Sequence, residues 1–314
     1  MNRTCIVVTG PTGVGKTGFV DYLAKKLPIE VINADVGQLY TPLTIGTAKP
    51  DLSAISVPHH GFNVLDTPRN FTVTAYRDMV LPLLEQIYNR NTIPVFVGGS
   101  LFYIKSIFFP PAYVPQRKAY EPPETKSNNL WQQVHAIDPE RARAIHPNDT
   151  YRLQRALAIW YETGQKPSTF VPQFAPPASA HVSFLSRERA ALYERINERT
   201  HTMLANGWIA EVQNLDAAWW DFLRHKNLIG YPDIITYLEN GMSYDELVDT
   251  IQRKTRLYAK RQITFWRSLR THVIDAYAQH EQYTAHVETV HIDEIDGNSH
   301  ADAIATYVQG ERNA

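Results

Sequence analysis

Hydrophobic residues in the first third of the chain fall into short continuous runs separated by longer stretches of helical spacing. The runs Cys5–Val8, Glu30–Ala34 and Ile93–Val97 have the length and continuity of strands that are covered on both faces. Apolar residues over 74–89 recur every three or four positions and predict a helix, which we expect Pro82 to kink or restart. Strands that alternate with helices predict an α/β fold, with a parallel sheet flanked by helices.

Two proline-rich stretches, 110–128 and 167–177, interrupt this pattern. The residues between them have helical spacing. Asn148–Asp149 is typical of a helix N-cap, and Gly164 is typical of the residue that follows a helix C-terminus. We therefore predict a smaller all-helical domain inserted into the α/β core. The predicted domains are a first core segment at 1–114, the helical insertion at 115–178 and the remainder of the core at 179–314.

The last third of the chain is predicted to be mainly helical. Residues 189–214 have the spacing of one long amphipathic helix or a pair of helices, and residues 244–271 form another. The short apolar runs His272–Asp275 and Val290–Ile292 are interpreted as strands that return to the sheet.

The composition is that of a globular chain, with 44% hydrophobic and 20% charged residues and a net charge of −1. Cys5 is the single cysteine, which excludes an internal disulfide and a cysteine-based metal site and favours a buried strand position. No apolar run reaches the about 18 residues of a membrane span, and the N-terminal run is too short for a signal peptide. We expect a cytoplasmic, monomeric protein with no membrane partner.

The segment that follows the first predicted strand matches G-x-x-x-x-G-K-[ST] in full and opens a predicted helix. Its backbone N–H groups and the helix N-terminus suit phosphate oxygens, while Lys16 offers a positive charge and Thr17 a hydroxyl for Mg²⁺. The motif predicts a diphosphate or nucleotide site without identifying a nucleoside triphosphate. Its residues are Gly10, Pro11, Thr12, Gly13, Val14, Gly15, Lys16 and Thr17.

The ends of the other two predicted strands carry further polar groups. Asp35 follows the second strand and is expected to face the same crevice, where a carboxylate can accept a proton or hold a metal-bound water. Position alone fits an ordinary strand-end or helix-capping Asp equally well. Gly98 and Gly99 allow close approach to a ligand and Ser100 offers a hydroxyl, although a tight strand-to-helix turn explains these residues equally well.

Positive charge is concentrated near the end of the predicted core. No acidic residue occurs from Thr250 to Ile274. This concentration suits a phosphate backbone or a diphosphate, although an isolated run of charge is more often a solvated helix face. The basic residues are Arg253, Lys254, Arg256, Lys260, Arg261, Arg267 and Arg270.

Together these segments resemble the tRNA dimethylallyltransferase (isopentenyltransferase) family, in the family's order and over most of the chain. The phosphate loop is shared by many families, whereas IGTAKP and KRQITFWR are far more specific. The matching segments are GPTGVGKT at 10–17, NADVGQLY at 33–40, IGTAKP at 45–50, VPHH at 57–60, VGGSLFYIK at 97–105, HPNDTYRLQRAL at 146–157, YERINERTHTMLANG at 193–207, IGYPDI at 229–234 and TRLYAKRQITFWR at 255–267.

The resemblance implies transfer of a dimethylallyl group from dimethylallyl diphosphate, with Mg²⁺. The acceptor it implies is the exocyclic amine of the adenosine 3′ of the anticodon, in tRNAs that read codons beginning with U. Asp35 matches the residue that serves as the base in this family, and Ser100 matches a Thr that contacts the reacting groups. Lys16 is expected to stabilise the diphosphate. The insertion domain is expected to grip the anticodon stem-loop.

The resemblance also implies a set of tRNA-contacting residues, including Arg117 in the proline-rich linker. By number they are Asp35, Val36, Gly37, Gln38, Ser100, Arg117, Tyr151, Arg152, Leu153, Gln154, Arg155, Asn227, Gly230 and Tyr231. The chain departs from the family where Val36 and Gly37 replace the usual Ser-Arg after the catalytic Asp, and where Pro232 replaces an Arg after Gly-Tyr. These changes affect contact with the anticodon loop but leave the phosphate loop, Asp35 and Ser100 in place.

Three other functions are compatible with parts of the sequence. A prenyltransferase acting on free adenine nucleotides would share the phosphate loop, but it would not need an insertion domain or a basic segment. A small-molecule or nucleotide kinase would bind ATP tightly and transfer its phosphoryl group. A tRNA-binding module that has lost catalysis, as the Val36–Gly37 change suggests, would bind tRNA and release no diphosphate.

Overall fold

The computed structural model describes residues 3–115, 129–226, 228–293 and 297–313. Its sheet has six strands in the order β3-β2-β4-β1-β5-β6, and every neighbouring pair is parallel. The predicted α/β fold with a parallel sheet is confirmed. The strands are β1 (Thr4–Thr9), β2 (Ile29–Asn33), β3 (His59–His60), β4 (Ile93–Gly98), β5 (Ser179–Ser186) and β6 (Ala285–His291).

Helices flank this sheet and make up most of the remaining chain. In the described parts of the chain, no helix is long and apolar enough to cross a membrane. The helices are α1 (Lys16–Lys26), α2 (Val73–Asn89), α3 (Leu101–Phe108), α4 (Leu130–Ile137), α5 (Pro139–Arg143), α6 (Thr150–Thr163), α7 (Arg189–Ala205), α8 (Trp208–Gln213), α9 (Ala217–Lys226), α10 (Tyr231–Leu238), α11 (Tyr244–Ala278) and α12 (Gly297–Asn313).

One predicted strand lies within a helix, and one predicted restart of a helix does not occur. His272–Asp275 is not a strand, because α11 continues without interruption to Ala278 and buries Val273 and Tyr277 at helical spacing. Pro82 does not restart α2, which runs on to Asn89. Pro82 lies on the exposed face, where a carbonyl oxygen that loses its donor can bond to water, so the helix tolerates it.

Other predicted boundaries are confirmed, and the reasons are local. Asp149 accepts a hydrogen bond from the Arg152 N–H at the start of α6, and Gly164 ends that helix in the left-handed conformation, with φ 68°. The predicted pair of helices over 189–214 is present as α7 and α8, and the strand predicted at Val290–Ile292 lies at the end of β6. Cys5 is buried in β1, as expected.

The chain folds into two compact units. The larger one contains Met1–Phe108 and Pro176–Ala314, and the smaller one contains Phe109–Ala175. The smaller unit holds α4, α5 and α6, which pack around an apolar core of its own that includes Val134 and Leu157. The insertion was predicted at 115–178, and part of its first proline-rich seam lies outside the described residues.

One buried ion cluster holds β2 in place. Glu30 is 2% exposed, and its carboxylate accepts hydrogen bonds from Arg90 at 2.7 and 2.8 Å and from the Thr92 hydroxyl at 2.6 Å. His60 on β3 lies 2.7 Å from the same carboxylate. The hydrogen bond from Arg90 is the main cause that lowers the pKa of Glu30 to about 2. The cluster therefore ties β2 to the end of α2 and to the edge strand β3.

We expect Glu30→Gln to lower the free energy of unfolding at pH 7 by about 2 kcal/mol, because it removes the charge to which Arg90, Thr92 and His60 are bonded. The exposed pair of Arg3 and Glu85 provides a control, since Glu85→Gln should cost less than about 1 kcal/mol. Chemical denaturation measures both.

The pH dependence of this effect has a defined sign. The folded-state pKa of Glu30 lies below its ordinary value, so its stabilisation is present above about pH 4.5 and is lost as the pH falls toward 2. The difference between wild type and Glu30→Gln should therefore shrink between pH 5 and pH 3. A difference that stays constant over this range would contradict the assignment.

Candidate active site

The carboxyl ends of β1, β4 and β2 lie side by side, because these strands are neighbours in a parallel sheet. Thr9 pairs with Gly98, and Asn33 pairs with Val97, so the three strands end level with one another. The Thr9 hydroxyl donates a hydrogen bond to the Gly98 carbonyl at 2.8 Å. The three turns that were singled out from the sequence therefore meet at one edge of the sheet, where open α/β folds bind their ligands.

Two glycines allow the turns after β4 and β2 to approach each other closely. A Cβ atom at Gly98 would lie 2.1 Å from the carbonyl oxygen of Ala34. The chain then turns so that the Ser100 N–H donates to that oxygen at 3.0 Å. A Cβ at Gly99 would lie 2.3 Å from the side-chain nitrogen of Gln262. Larger residues at these positions would separate the two turns, so the glycines are required for the packing of this edge.

The glycine-rich loop, Gly10–Thr17, leads directly into α1. Gly13 and Gly15 have φ values of 81° and 111°, which favour glycine, and the Val14 N–H donates to the Pro11 carbonyl at 3.3 Å. Gly15 occupies the N-cap position, and among the described residues no side chain caps the helix. The first N–H groups of α1 therefore offer positive partial charge to an anion.

Lys16 and Thr17 stand at the first turn of α1. The Lys16 ammonium donates to the carbonyl oxygens of Gly10 and Pro11, both at 3.1 Å. Burial lowers its pKa to about 8, the charge of Asp35 opposes this shift, and Arg199 adds to it. Thr17 is exposed, which leaves its hydroxyl accessible to a bound ion.

Asp35 is held by backbone groups rather than by a cation. Its Oδ1 accepts from the Gly37 N–H at 3.1 Å, and its own N–H donates to Asn33 Oδ1 at 2.8 Å. The Asn33 amide in turn donates to the carbonyl oxygens of Asp35 and Gly61, at 3.0 and 2.9 Å. The second oxygen, Oδ2, points toward Gly99, 3.8 Å from where a Cβ would stand. One carboxylate oxygen is thus fixed, and the other faces the neighbouring turn.

Side chains from α11 close the site from another direction. The Gln262 amide donates to the Gly99 carbonyl at 2.8 Å, and its oxygen accepts from the Thr12 N–H at 2.9 Å. Gln262 is 4% exposed and therefore couples the glycine-rich loop to the turn after β4. Tyr258 interacts with both Ser100 and Gln262, and burial, followed by the charge of Asp35, raises its pKa. Ser100 also accepts from the Val36 N–H at 3.1 Å.

Arginines from α7 line the glycine-rich loop, and sequence reasoning assigned them no role. Arg199 donates to the Thr12 hydroxyl at 3.3 Å, and Arg195 donates to the Gly13 carbonyl at 3.1 Å. Burial lowers the pKa of Arg199, and Asp35 opposes this effect. The four-residue spacing of these arginines, in a segment that matches the family, was the available signal. Sequence reasoning also assigned no role to Tyr258 and Gln262, although both lie in the matching segment at 255–267.

The segment Thr44–Lys49 contains most of IGTAKP and lies against the turn after β2. Gln38 donates from its amide to the carbonyl oxygens of Thr47 and Ala48, at 3.1 and 3.2 Å. Glu211 on α8 accepts from three consecutive N–H groups of the segment, those of residues 44–46, at 2.6 to 3.3 Å. The structure therefore places the predicted tRNA contact Gln38 in a network that shapes this segment.

The predicted tRNA-contacting residues of the smaller unit do not all face solvent. Tyr151 is 65% exposed, and Arg152 next to it is exposed and pairs with Asp149. Gln154 and Arg155 are half-buried. Leu153 is fully buried in the core of this unit, so its side chain packs against α4 and cannot contact RNA. The first turn of α6 therefore presents an exposed aromatic and cationic surface.

The remaining predicted tRNA contacts divide into two groups. Arg117 and Asn227 lie outside the described residues. Tyr231 is 1% exposed and donates to Glu211 at 2.8 Å, and Gly230 packs against Trp208, so both have structural roles that argue against direct contact by their side chains. Pro232 occupies the first turn of α10, where a missing N–H is tolerated.

Part of the basic segment of α11 is neutralised or buried. Lys254 pairs with Asp233 on α10 at 2.7 Å, and Arg256 donates to Asn197 on α7 at 2.6 Å. Asp233 on α10 thus supplies part of the negative charge that the segment itself lacks. The exposed basic residues are Arg253, Lys260, Arg261, Arg267 and Arg270. Trp266 is buried and stacks on Phe184 with ring centroids 4.8 Å apart, so it belongs to the core.

Comparison with known proteins extends this picture. Residues 38–269 match the family model described as IPP transferase. The chain belongs to the IPP transferase family. A tRNA dimethylallyltransferase of Alkaliphilus oremlandii is 34% identical over 283 residues, which cover 85% of this chain and 89% of the relative. One from Lacticaseibacillus casei is 34% identical over 298 residues and covers 92% and 96%. The family resemblance noted in the sequence is confirmed.

Solved structures of the IPP transferase family share the fold over nearly the whole chain. The tRNA isopentenylpyrophosphate transferase of Bacillus halodurans is 29% identical, with a TM-score of 0.64 over 99% of this chain and 97% of that one. A eukaryotic dimethylallyltransferase described as acting on tRNA is 25% identical, with a TM-score of 0.75 over 99% and 80%. This chain therefore shares its fold with these relatives.

The Gln262 contacts generate a prediction about anion binding. Gln262→Leu removes two hydrogen bonds that hold the glycine-rich loop, and we expect it to weaken binding of inorganic diphosphate by about tenfold or more. Gln252→Leu is the matched control, because Gln252 is also a buried α11 glutamine but bonds to Asn197 and His201 on α7. Isothermal titration measures both affinities. Equal losses in the two variants would show that Gln262 acts through general packing of α11.

Proposed function

We propose that this protein transfers a dimethylallyl group from dimethylallyl diphosphate to the exocyclic amine of an adenosine in tRNA. The observation that carries this proposal is the convergence of the glycine-rich loop, Asp35 and Ser100 at one edge of the sheet, in a chain of the IPP transferase family. The products are N6-isopentenyladenosine in tRNA and diphosphate. The family pattern favours the adenosine 3′ of the anticodon, in tRNAs that read codons beginning with U.

The acceptor amine needs a base, because its lone pair is delocalised into the adenine ring. Asp35 supplies a carboxylate whose Oδ1 is fixed by the Gly37 N–H, which leaves Oδ2 to take the proton as the C–N bond forms. Ser100 and Tyr258 stand beside it and provide hydroxyl groups that can orient the amine or the reacting carbon. The adenosine has to leave its base stack to reach this position.

The leaving diphosphate needs positive charge that is already in place. Lys16, Arg199 and the first N–H groups of α1 surround the glycine-rich loop and supply it. Mg²⁺ prefers oxygen ligands, and the exposed Thr17 hydroxyl together with diphosphate oxygens forms a suitable set. When bound, the ion adds neutralising charge to the diphosphate.

The surfaces for the RNA are separate from this chemistry. Tyr151 and Arg152 on the smaller unit offer stacking and phosphate contacts to an anticodon stem-loop. On the larger unit, Lys254, Asp233 and Arg261 line one surface depression, where Lys254 pairs with Asp233 and Arg261 offers its charge to a phosphate. Exposed positive charge on α11 adds to this surface, although the net charge of the whole chain is −1.

We expect Asp35→Asn to lower kcat for prenyl transfer by about 100-fold to 10,000-fold, because the amine loses its base. The binding of tRNA should change little, since the substitution preserves shape and hydrogen bonding. Asp21→Asn on the exposed face of α1 is the matched control and should leave the rate unchanged. Labelled dimethylallyl diphosphate, Mg²⁺ and unmodified tRNA measure the transfer directly.

The same assay separates the alternative functions. Label that enters AMP but not tRNA would replace the proposal with a free-nucleotide prenyltransferase. Transfer of the γ-phosphoryl group of ATP to a small molecule, without prenyl transfer, would indicate a kinase. Intact tRNA binding with no label in either acceptor would identify a binding module. The first variant to make would then replace Val36 and Gly37 with the usual Ser and Arg.

The charge of Lys16 predicts a pH limit. Its pKa is lowered to about 8, so the cation is present below that pH and is lost as the pH rises through it. We expect kcat/KM for dimethylallyl diphosphate to fall above about pH 8 in the wild type. Lys16→Arg should react more slowly but lose this alkaline limb, because a guanidinium stays protonated. An unchanged alkaline limb in Lys16→Arg would assign it to another group.

A further inference from the structure

A second polar cluster lies at the β5–β6 edge of the sheet, next to α12. It consists of His181 on β5, His286 and Glu288 on β6, and His300 on α12, and is called the histidine cluster below. His181 pairs directly with His286 in the parallel register, and Glu288 follows two residues later. Because side chains two residues apart lie on the same face of a strand, the register brings these groups together.

The imidazoles of the histidine cluster converge on one carboxylate. Glu288 Oε1 lies 2.9 Å from His300 Nε2 and 3.1 Å from His181 Nε2. Its other oxygen, Oε2, lies 3.7 Å from His286 Nε2. Potential ligand atoms of His181, His286 and Glu288 all lie within 4.8 Å of one another. Ser183 also donates to Oε1 at 3.1 Å, which fixes the carboxylate.

His181 is buried, Glu288 and His300 are partly buried and His286 is exposed, and none of the histidine cluster serves the proposed prenyl transfer. His181 is 2% exposed, and its Nδ1 has no hydrogen-bond partner among the described residues. Buried unpaired imidazole nitrogens are uncommon and call for an explanation.

We propose that His181, His286 and Glu288 bind a divalent transition-metal ion of the Zn²⁺ class, with His300 supporting the Glu288 carboxylate through its hydrogen bond. Imidazole nitrogens and one carboxylate are the set that Zn²⁺ takes in four-coordinate sites, at about 2.0–2.2 Å from each ligand, whereas Mg²⁺ prefers oxygen ligands alone. This site is separate from any Mg²⁺ held with the diphosphate.

The bound ion stabilises the C-terminal part of the fold. It joins three elements, β5, β6 and α12, through side chains from each. α12 in turn packs on α1, where Lys26 pairs with Asp302 at 2.9 Å and the rings of Phe19 and His300 lie 5.8 Å apart. α1 begins at the glycine-rich loop, so the ion reinforces the layer behind that loop without touching the reacting groups.

The test is Zn²⁺ titration of the full, tag-free chain in the presence of excess Mg²⁺, followed by calorimetry and by thermal unfolding. We expect one tight site and an unfolding midpoint that rises with Zn²⁺ concentration. His286→Ala and His300→Ala should each weaken the binding by about tenfold or more, the scale reached even by changes beyond the ligands themselves. His291→Ala, on the same strand but outside the cluster and exposed, should bind as the wild type does.

His286 has an exposed side chain, so its substitution should leave the fold intact and keep the test valid even where other variants unfold. No Zn²⁺-dependent rise of the unfolding midpoint in the wild type would overturn the proposal. Equal Zn²⁺ affinity of the wild type and His286→Ala would also overturn it, because binding would then occur at other histidines among the 12 in the chain.

Discussion

The close approach of two backbone turns is the constraint on which the site depends. Gly98 allows the end of β4 to lie against the Ala34 carbonyl, where a Cβ would stand 2.1 Å away. This contact places Asp35 and Ser100 in neighbouring turns, joined by the hydrogen bond from the Val36 N–H to the Ser100 hydroxyl. Gly99 then leaves room for Gln262, which fixes the distance from these turns to the glycine-rich loop. Larger residues at these two positions would push the turns apart, so the carboxylate, the hydroxyl and the loop would lose their present spacing.

The electrostatics of the site follow from this packing. Lys16 and Arg199 are drawn out of water, which lowers both of their pKa values, and Asp35 partly compensates each of them. Cations that are poorly solvated and only partly paired interact strongly with an incoming polyanion, because little hydration is lost when it binds. In the proposed reaction, the carboxylate that assists the cations is also the base that accepts the amine proton. Binding of the donor and activation of the acceptor would then be coupled through Asp35.

Sequence reasoning predicts the parts of this structure that depend on local patterns. The strand–loop–helix signature placed the glycine-rich loop, and the rule that parallel strands end at one edge brought Asp35 and Ser100 to it. Gln262, Tyr258 and Arg199 could not be placed in this way, because their positions depend on how α7 and α11 pack, and their spacing fits a solvated helix face equally well. The prediction of a strand at His272–Asp275 was wrong for the same reason. These four residues have the apolar character of a short strand, and nothing in them indicates that a 35-residue helix continues through them. Leu153 and Tyr231 are buried, although they lie in the same matching segments as exposed residues. Only tertiary packing determines which residues of these segments face solvent.

The departures from the family after Asp35 are compatible with a working base. The Gly37 N–H holds the carboxylate and Asn33 holds the Asp35 backbone, and neither contact depends on the side chains lost at positions 36 and 37. A Cβ at Gly37 would lie 2.9 Å from the Thr47 methyl group, so a longer residue there requires the Thr44–Lys49 segment to shift. In this chain Gln38 holds that segment in place through the carbonyl oxygens of Thr47 and Ala48. The change at positions 36 and 37 thus alters the groups available to the acceptor base while it preserves the position of the carboxylate. A defect from this change would affect recognition of the RNA before it affected the chemistry.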